Sequence, residues 1–276
     1  MSTTFLTCSA NTLRFADLPT RASAAAAAGF TGLGLRVSDY LNADMADAAI
    51  RDLLDEHGLR LFELEHTWDW AAGKDPVEAT MFRLADRIGV RQLNAPMFAA
   101  HPLPDLVRPF AALCDRAAEH GLLVGFEFLP YSHVRTFGQA WEVVAAADRP
   151  NAGVILDFWH WFRSGAEPGE LADVPPSAIT SLQLCDVLPE SEPDLADEAR
   201  HRRLLPGQGA SDTLGLLRAL RELGITVPAS VEVFSDDLDA RPAGVAARSA
   251  FDAGVAALDR AGYPTPTWTT NLEGAR

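Results

Sequence analysis

Apolar residues follow two patterns along this chain: short continuous runs, and longer segments with helical spacing. The short runs are rich in leucine, β-branched and aromatic residues and are bounded by glycine, proline or charged positions, which is typical of buried strands. They recur about every 30 residues, the spacing of strand and helix units. Eight strands are predicted in this way, over residues 4–9, 32–37, 60–66, 91–96, 122–128, 153–158, 181–186 and 229–234.

Most segments between these strands carry apolar residues at i, i+3, i+4 and i+7, the spacing of an amphipathic helix. Several end at a glycine, such as Gly58, Gly121 and Gly224, a residue that favours the C-terminus of a helix. Residues 165–176 predict at best a short helix. Helices are predicted over residues 18–30, 43–58, 75–89, 103–121, 136–147, 211–224 and 243–262.

Strands that alternate with helices over 276 residues predict a (β/α)8 barrel, with residues 1–276 forming a single domain. A doubly wound open sheet would need a glycine-rich turn after its first strand, and residues 8–15 contain no glycine. Residues 187–210 are too many for a simple connection and predict a long loop after the seventh strand. Residues 262–276 predict an irregular tail, in which Trp268 could pack against the barrel.

Charge and cysteine content narrow the range of partners. A net charge of −15 and an isoelectric point near 4.8 argue against nucleic acid and anionic membranes, which both attract basic surfaces. Cys8, Cys114 and Cys185 are too scattered for a disulfide framework. The first residues lack the features of a signal peptide, and no run is long enough for a membrane span. We therefore expect a soluble, cytoplasmic protein that acts on a small molecule, alone or as a homo-oligomer.

Lys74 is the only lysine of the chain, and it lies in a predicted loop. Barrel enzymes that form a Schiff base need a lysine on a strand, where loss of water keeps its amine neutral. Aldolase chemistry of that type is therefore nearly excluded.

Polar residues interrupt the last four predicted strands. Glu127 lies in the fifth, Asp157 in the sixth, Gln183 in the seventh and Glu232 in the eighth. Because the carboxyl ends of barrel strands converge on one face, we expect these side chains to be neighbours. Carboxylates packed this closely need a cation, and an all-oxygen set suits Mn²⁺ or Mg²⁺ better than Co²⁺ or Zn²⁺. The sequence predicts one divalent metal ion; the alternative for each residue is an ordinary salt bridge or hydrogen bond.

Candidate substrate contacts flank these strand ends. His160 follows Asp157 by three residues, and Arg203 precedes a proline-glycine turn from which it could hold an anionic or hydroxyl-rich substrate. His66 ends the third strand, and Trp68 and Trp70 could form an apolar wall beside it. By position alone, Trp159 is a further specificity candidate. Arg200 and Arg202 are interpreted instead as a solvated basic patch.

At these residues the chain resembles the xylose isomerase-like barrel superfamily, in particular its sugar-phosphate isomerases and epimerases. That group includes ketose 3-epimerases, hydroxypyruvate isomerase, inosose dehydratase and 3-dehydroshikimate dehydratase. The motifs that carry the resemblance are "GFEFLP" with Glu127, D-x-x-H with Asp157 and His160, "QLCD" from Gln183 to Asp186, R-x-L-P-G from Arg203 to Gly207, and "SVEVF" with Glu232.

The resemblance implies that Glu127, Asp157, Gln183 and Glu232 are metal ligands and that Glu127 and Glu232 form the catalytic acid and base pair. It adds Asp186 to the substrate-binding candidates. Ketose epimerases usually have histidine where this chain has Gln183, whereas members similar to hydroxypyruvate isomerase and dehydroshikimate dehydratase have glutamine. A free-ketose epimerase is therefore less well supported.

The implied function is a metal-dependent isomerase or epimerase that moves a proton through a metal-stabilised enediolate, with Glu232 as base and Glu127 as acid or the reverse. A dehydratase of the 3-dehydroshikimate or inosose type would use the same site. A non-catalytic sugar-binding barrel is an alternative of another class. A metal-dependent endonuclease would need a histidine cluster and a basic groove, and it is a distant alternative.

Overall fold

A computed structural model describes residues 5–73 and 75–264. Eight parallel strands form a closed barrel in which each strand pairs with its neighbours in sequence and β1 pairs with β8. The predicted (β/α)8 barrel is confirmed. Lys74 and Trp268 lie outside the described residues. The strands are β1 (Leu6–Cys8), β2 (Gly32–Arg36), β3 (Arg60–Glu65), β4 (Gln92–Pro96), β5 (Leu123–Glu127), β6 (Ala152–Asp157), β7 (Ile179–Leu184) and β8 (Ala229–Val231).

The strand bounds differ from the predicted ones by a few residues, and for β7 and β8 the backbone hydrogen bonds show the reason. β7 begins earlier than predicted because Ile179 already pairs with Val154 of β6. β8 ends at Val231, although the apolar run continues to residue 234. Beyond Val231 the chain pairs with the segment that follows α8: the carbonyl oxygen of Phe234 accepts a hydrogen bond from the Arg203 amide at 2.9 Å.

The predicted helices are present, and several short ones were missed. The short helices span four to seven residues each, too few for an apolar periodicity to show in the sequence. None of the helices in the described part of the chain is long and apolar enough to cross a membrane. The helices are α1 (Leu18–Ala28), α2 (Val37–Asn42), α3 (Asp47–Glu56), α4 (Glu78–Ile88), α5 (Leu103–Ala118), α6 (Phe137–Ala147), α7 (Phe158–Arg163), α8 (Leu195–His201), α9 (Thr213–Glu222), α10 (Asp236–Asp239) and α11 (Ala243–Ala261).

Two of the short helices approach the carboxyl ends of the strands. α7 begins directly after β6, where the Asp157 carboxylate accepts a hydrogen bond from the His160 amide at 2.8 Å and caps the helix. α8 lies inside the predicted loop 187–210, and Asp194 caps its first turn. The sequence after β6 and β7 therefore folds into short helices that place His160 and Arg203 beside the barrel.

The barrel interior is partly polar. Alternate residues of a strand share one face, so every second side chain points into the barrel. Gln92 on β4 donates a hydrogen bond across it to Ser181 on β7 at 2.9 Å, and also one to Asn94 at 2.9 Å. Glu63 and Ser230 are buried in the same interior. Polar side chains thus continue from the middle of the barrel towards the carboxyl ends of the strands.

Candidate active site

A cavity of about 670 Å³ opens at the carboxyl ends of the strands. Glu127, Gln183 and Glu232 line it, and Asp157 is fully buried beside it. Asp157 and Gln183 are paired in register across β6 and β7, which fixes them as neighbours. The four ligands predicted from the sequence therefore lie around one end of the barrel.

Glu127, Asp157 and His160 form a tight cluster in which one ligand atom from each lies within 4.8 Å of the others. The Nε2 atom of His160 is 3.3 Å from Glu127 Oε1 and 4.0 Å from Asp157 Oδ2. His160, expected as a substrate contact, thus points its imidazole nitrogen at the predicted metal ligands. Carboxylate and imidazole groups in this arrangement could hold a divalent cation.

Gln183 also supports a cation at this cluster. Its Oε1 atom is buried and accepts no hydrogen bond from the described residues. A buried acceptor without a partner costs roughly 1–3 kcal/mol. Glu63 and Gln92 also contain such an oxygen, but they do not line the cavity. A cation beside Glu127 and Asp157 would give Gln183 its missing partner.

Arg203 lies almost fully buried between two of the carboxylates. Its Nη1 atom is 2.7 Å from Asp157 Oδ2 and 3.3 Å from Glu232 Oε2. Its Nε atom donates to the carbonyl oxygen of Ala199 at 2.9 Å, so α8 holds the guanidinium in place. Such a buried ion pair is costly to break, because one partner would be left charged and unpaired.

Glu65 is a cavity residue that the sequence analysis missed. Ser9 Oγ lies 3.1 Å from Glu65 Oε1 and 3.0 Å from Glu232 Oε1, and Asn11 Nδ2 contacts both carboxyl groups. The Ser9 hydroxyl has one hydrogen and can donate to only one of them. One of the two carboxyl groups must therefore carry a proton if both contacts with Ser9 are hydrogen bonds.

The electrostatic environment also favours a proton on Glu65 or Glu232. Burial, followed by the Glu127 carboxylate, raises the pKa of Glu65 to about 7. Burial and then Glu65 raise the pKa of Glu232 well above its usual value, against the lowering effect of Arg203. Burial also opposes ionisation of Asp157, yet Arg203 and His160 hold the pKa of Asp157 below its usual value. Of these three carboxylates, Asp157 therefore stays ionised most readily.

The balance of charge favours a cation. We name four carboxylates the acidic floor: Glu65, Glu127 and Glu232, which line the cavity, and Asp157, which is buried beside it. Arg203 forms ion pairs with two of them, Asp157 and Glu232. Four carboxylates around one guanidinium cannot all be ionised at low cost. A divalent ion would compensate this excess of negative charge and bind the free oxygen of Gln183. The residues present therefore fit a divalent metal ion.

An aromatic wall forms another side of the cavity. His66 and Trp68 lie with ring centroids 3.9 Å apart, and Trp68 lies 4.7 Å from Phe98. Trp68 is 48% exposed, and all three rings line the cavity. Trp70 is fully buried beneath the wall and donates to the carbonyl oxygen of Pro96 at 2.9 Å. The expectation that Trp70 forms part of the wall is therefore wrong.

Asp186 and Trp159, two predicted substrate contacts, do not line the cavity. The Asp186 carboxylate accepts hydrogen bonds from the Ser211 amide and hydroxyl at 3.0 and 2.6 Å. The Trp159 indole donates to the buried carboxylate of Glu198 at 3.1 Å. Both side chains instead fasten the segment between β7 and α9 to the barrel. A sequence motif cannot separate such internal contacts from contacts with a substrate.

Arg200 and Arg202 are both exposed, as expected for a solvated basic patch, but Arg200 also lines the cavity. The Arg200 guanidinium lies 5.7 Å from the centre of the Tyr131 ring, which lines the cavity too. Arg202, two residues later, is exposed and does not line it. Two residues correspond to about 200° of rotation around a helix axis, so the two side chains leave the end of α8 in different directions. This difference cannot be read from the sequence, because α8 was not predicted.

Comparison with known proteins places this geometry in a family. A family model described as xylose isomerase-like TIM barrel matches residues 22–259. The chain belongs to the xylose isomerase-like TIM barrel family. The predicted resemblance is thereby confirmed, and the family covers the strand ends that carry every residue of the acidic floor.

Two relatives in this family have names that describe an activity. A 3-dehydroshikimate dehydratase of Pseudomonas aeruginosa is 33% identical over 237 residues, which are 82% of this chain and 37% of that protein. An inosose isomerase of Halalkalibacterium halodurans is 32% identical over 158 residues, 52% of this chain and 55% of that protein. The chain thus spans well under two thirds of the length of either relative.

Solved structures share the barrel. A crystal structure of the protein IolI with a bound zinc atom has a TM-score of 0.84 and 22% sequence identity, covering 95% of this chain and all of that one. At that level of identity the likeness shows the fold alone.

Proposed function

We propose that this chain binds one divalent metal ion and catalyses proton abstraction next to the carbonyl group of a hydroxy-ketone. The observation that carries the proposal is the unpartnered Gln183 oxygen beside the cluster of Glu127, Asp157 and His160. Buried acceptors are normally satisfied, so a missing partner at a cavity points to a ligand. The named relatives, a dehydratase and an isomerase, both act on hydroxy-ketones, which supports this class of substrate.

Glu127, Asp157, Gln183 and Glu232 are the proposed metal ligands, with His160 close enough to serve as a further one. A divalent ion bound there would act as a Lewis acid that polarises a substrate oxygen. Mn²⁺ or Mg²⁺ suits the oxygen ligands, and participation of His160 would also permit Co²⁺ or Zn²⁺.

Glu232 is the proposed base. Its pKa is raised by burial and by Glu65, and a carboxylate with a raised pKa is a better proton acceptor near neutral pH. Ser9 and Asn11 fix its Oε1 atom, while Arg203 contacts Oε2. Removal of a proton from the carbon next to the carbonyl moves the electron pair onto the carbonyl oxygen and gives an enolate.

Glu127 is the proposed acid; it lines the cavity at the end of β5, three strands away from β8 and Glu232. In an isomerase or epimerase, the enolate takes a proton back at another carbon or on its other face. In a dehydratase, the enolate expels a β-hydroxyl group, which Glu127 protonates as it leaves as water. The wall of His66, Trp68 and Phe98 would restrict water and hold the carbon skeleton.

Dehydration is the outcome we favour, because the dehydratase relative matches 82% of the chain and the isomerase relative 52%. Isomerisation is the second candidate, and it uses the same base. Fold and metal alone do not decide between them.

Product analysis tests the proposal. We expect the protein loaded with Mn²⁺ to convert 3-dehydroshikimate into a product lighter by one water molecule, and a chelator to stop the reaction. Conversion of inosose into a product of equal mass, with no change in 3-dehydroshikimate, would support isomerisation instead. No turnover of either compound with any of Mn²⁺, Mg²⁺, Co²⁺ or Zn²⁺ would leave the non-catalytic barrel as the better description.

A further inference from the structure

Four basic residues line one side of the cavity and form a connected series, which we name the basic rim: Arg14, Arg36, Arg200 and His201. Arg36 donates a hydrogen bond to the carbonyl oxygen of Arg14 at 2.6 Å, and Arg14 donates to that of Arg200 at 2.6 Å. These bonds place the β1 to α1 loop, the end of β2 and the end of α8 side by side. A basic surface of this kind is unexpected in a chain with a net charge of −15.

Two members of the basic rim are neutralised locally. Arg14 forms ion pairs with Asp236 at 3.0 Å and with Asp239. His201 Nδ1 lies 2.9 Å from the same Asp236 carboxylate. The two acidic groups balance these two basic ones, so this half of the rim offers no surplus charge.

Arg36 belongs to a pair of arginines that bind the same carboxylate. It shares the carboxylate of Asp39 with Arg21, which is fully buried and lies 2.6 Å from Asp39 Oδ2. Arg36 Nη2 binds the other oxygen of Asp39 at 2.8 Å. Two guanidinium groups, which stay protonated in proteins, therefore share one ion-paired carboxylate. Of the two, Arg36 is the one that lines the cavity. Arg36 also acts on Glu65, whose pKa it lowers against the larger raising effect of burial.

Arg200 carries a second positive charge. Its guanidinium packs against the Tyr131 ring rather than against a carboxylate, and no acidic side chain among residues 5–73 and 75–264 forms an ion pair with it. An aromatic ring orients an arginine but does not cancel its charge. The basic rim thus presents two arginines to the cavity. Arg200 has no ion pair among the described residues, and Arg36 shares its ion-paired carboxylate with Arg21.

We propose that the substrate of this site is an organic acid whose carboxylate binds Arg200 and Arg36 at the basic rim. The inference rests on the proposed function for the identity of the cavity as the substrate site. The acidic floor would repel an anion, so the carboxylate must lie at the rim while the ketone end of the molecule faces Glu127 and Glu232. A neutral polyol would leave Arg200 without an ionic partner.

Binding of an unreactive ligand pair tests this proposal without relying on turnover. Shikimate has a hydroxyl group in place of a reactive ketone, and methyl shikimate has a neutral methyl ester in place of the carboxylate. Calorimetry on the Mn²⁺-loaded protein should give roughly tenfold tighter binding for shikimate, the size expected for one charge pair at a partly solvated surface. Arg200→Gln should remove most of that difference. Arg202→Gln, the same change on an exposed residue outside the cavity, should preserve it.

Equal affinity for the acid and the ester would overturn the proposal, as would binding of neither, or an equal effect of the two substitutions. A second pair, fructose 6-phosphate and fructose, distinguishes the source of the anion. Discrimination confined to that pair would contradict a carboxylate and show that the rim binds phosphate. Because these ligands report binding alone, loss of charge discrimination in an active enzyme would contradict this inference and leave the proposed proton transfer intact.

Discussion

Glu232→Gln is expected to lower kcat by roughly 10²- to 10⁴-fold, the usual contribution of a general base. The amide keeps the size of the side chain and its contacts with Ser9 and Asn11, but it cannot accept a proton from carbon. The measurement is the initial rate on whichever substrate shows turnover, at saturating metal and substrate. Deuterium exchange at the carbon next to the carbonyl should fall by the same factor, because that step comes before any product.

Glu63→Gln is the matched control. Glu63 is also a buried glutamate in the barrel, and its pKa is raised by burial and then by Glu65, but it does not line the cavity. Its replacement should leave the rate within roughly tenfold of the natural protein, as expected for a residue without contact with the reacting atoms. If both variants lost activity equally, the effect would be general damage to the barrel, and Glu232 would lose its role as base.

Arg203→Met is expected to destabilise the protein by about 3–5 kcal/mol, the range for a buried ion pair that loses one partner. Methionine fills much of the same volume, yet Asp157 would lose its 2.7 Å contact and Glu232 its 3.3 Å contact. The free energy of unfolding should be measured with urea in the presence of a chelator, so that bound metal does not mask the loss.

An exposed pair supplies the comparison for Arg203. Arg60 lies 3.0 Å from Asp55, but the two side chains are 53% and 62% exposed. Arg60→Met should therefore cost only about 0–1 kcal/mol. A similarly small loss for Arg203→Met would mean that the carboxylates of the acidic floor do not depend on the guanidinium, and that they are largely protonated without metal.

The fold was predictable because strand and helix periods recur in regular alternation. A barrel strand needs only a short apolar run, and each amphipathic helix shows its own spacing. The misses were local. α7 and α8 are too short to show an apolar periodicity. β8 ends before the apolar run does, and the carbonyl oxygen of Phe234 accepts a hydrogen bond from the Arg203 amide. Contacts between distant segments decide such details, and they leave no pattern in the neighbouring sequence.

The candidate site was predictable where a charge interrupts an apolar strand, as at Glu127 and Glu232. Glu63 and Glu65 carry the same signal, two carboxylates at alternate positions of β3, so the sequence also contains a signal for Glu65. Asp186 shows the opposite limit. It follows β7 by two residues and resembles Asp157 at the end of β6, but hydrogen bonds from Ser211 occupy its carboxylate. Whether a buried acid faces a cavity or a loop depends on tertiary structure.

The metal content of the purified protein tests the proposed metal centre most directly. Elemental analysis of protein prepared without chelator should find about one divalent ion per chain, as one set of ligands around Glu127, Asp157 and Gln183 requires. Asp157→Asn keeps the cap of α7 but removes a ligand charge, and it should lose the ion. Asp186→Asn, an equally buried acid held by the loop, should retain it. A natural protein free of metal after loading, or an Asp157→Asn variant that keeps its ion, would contradict the metal centre.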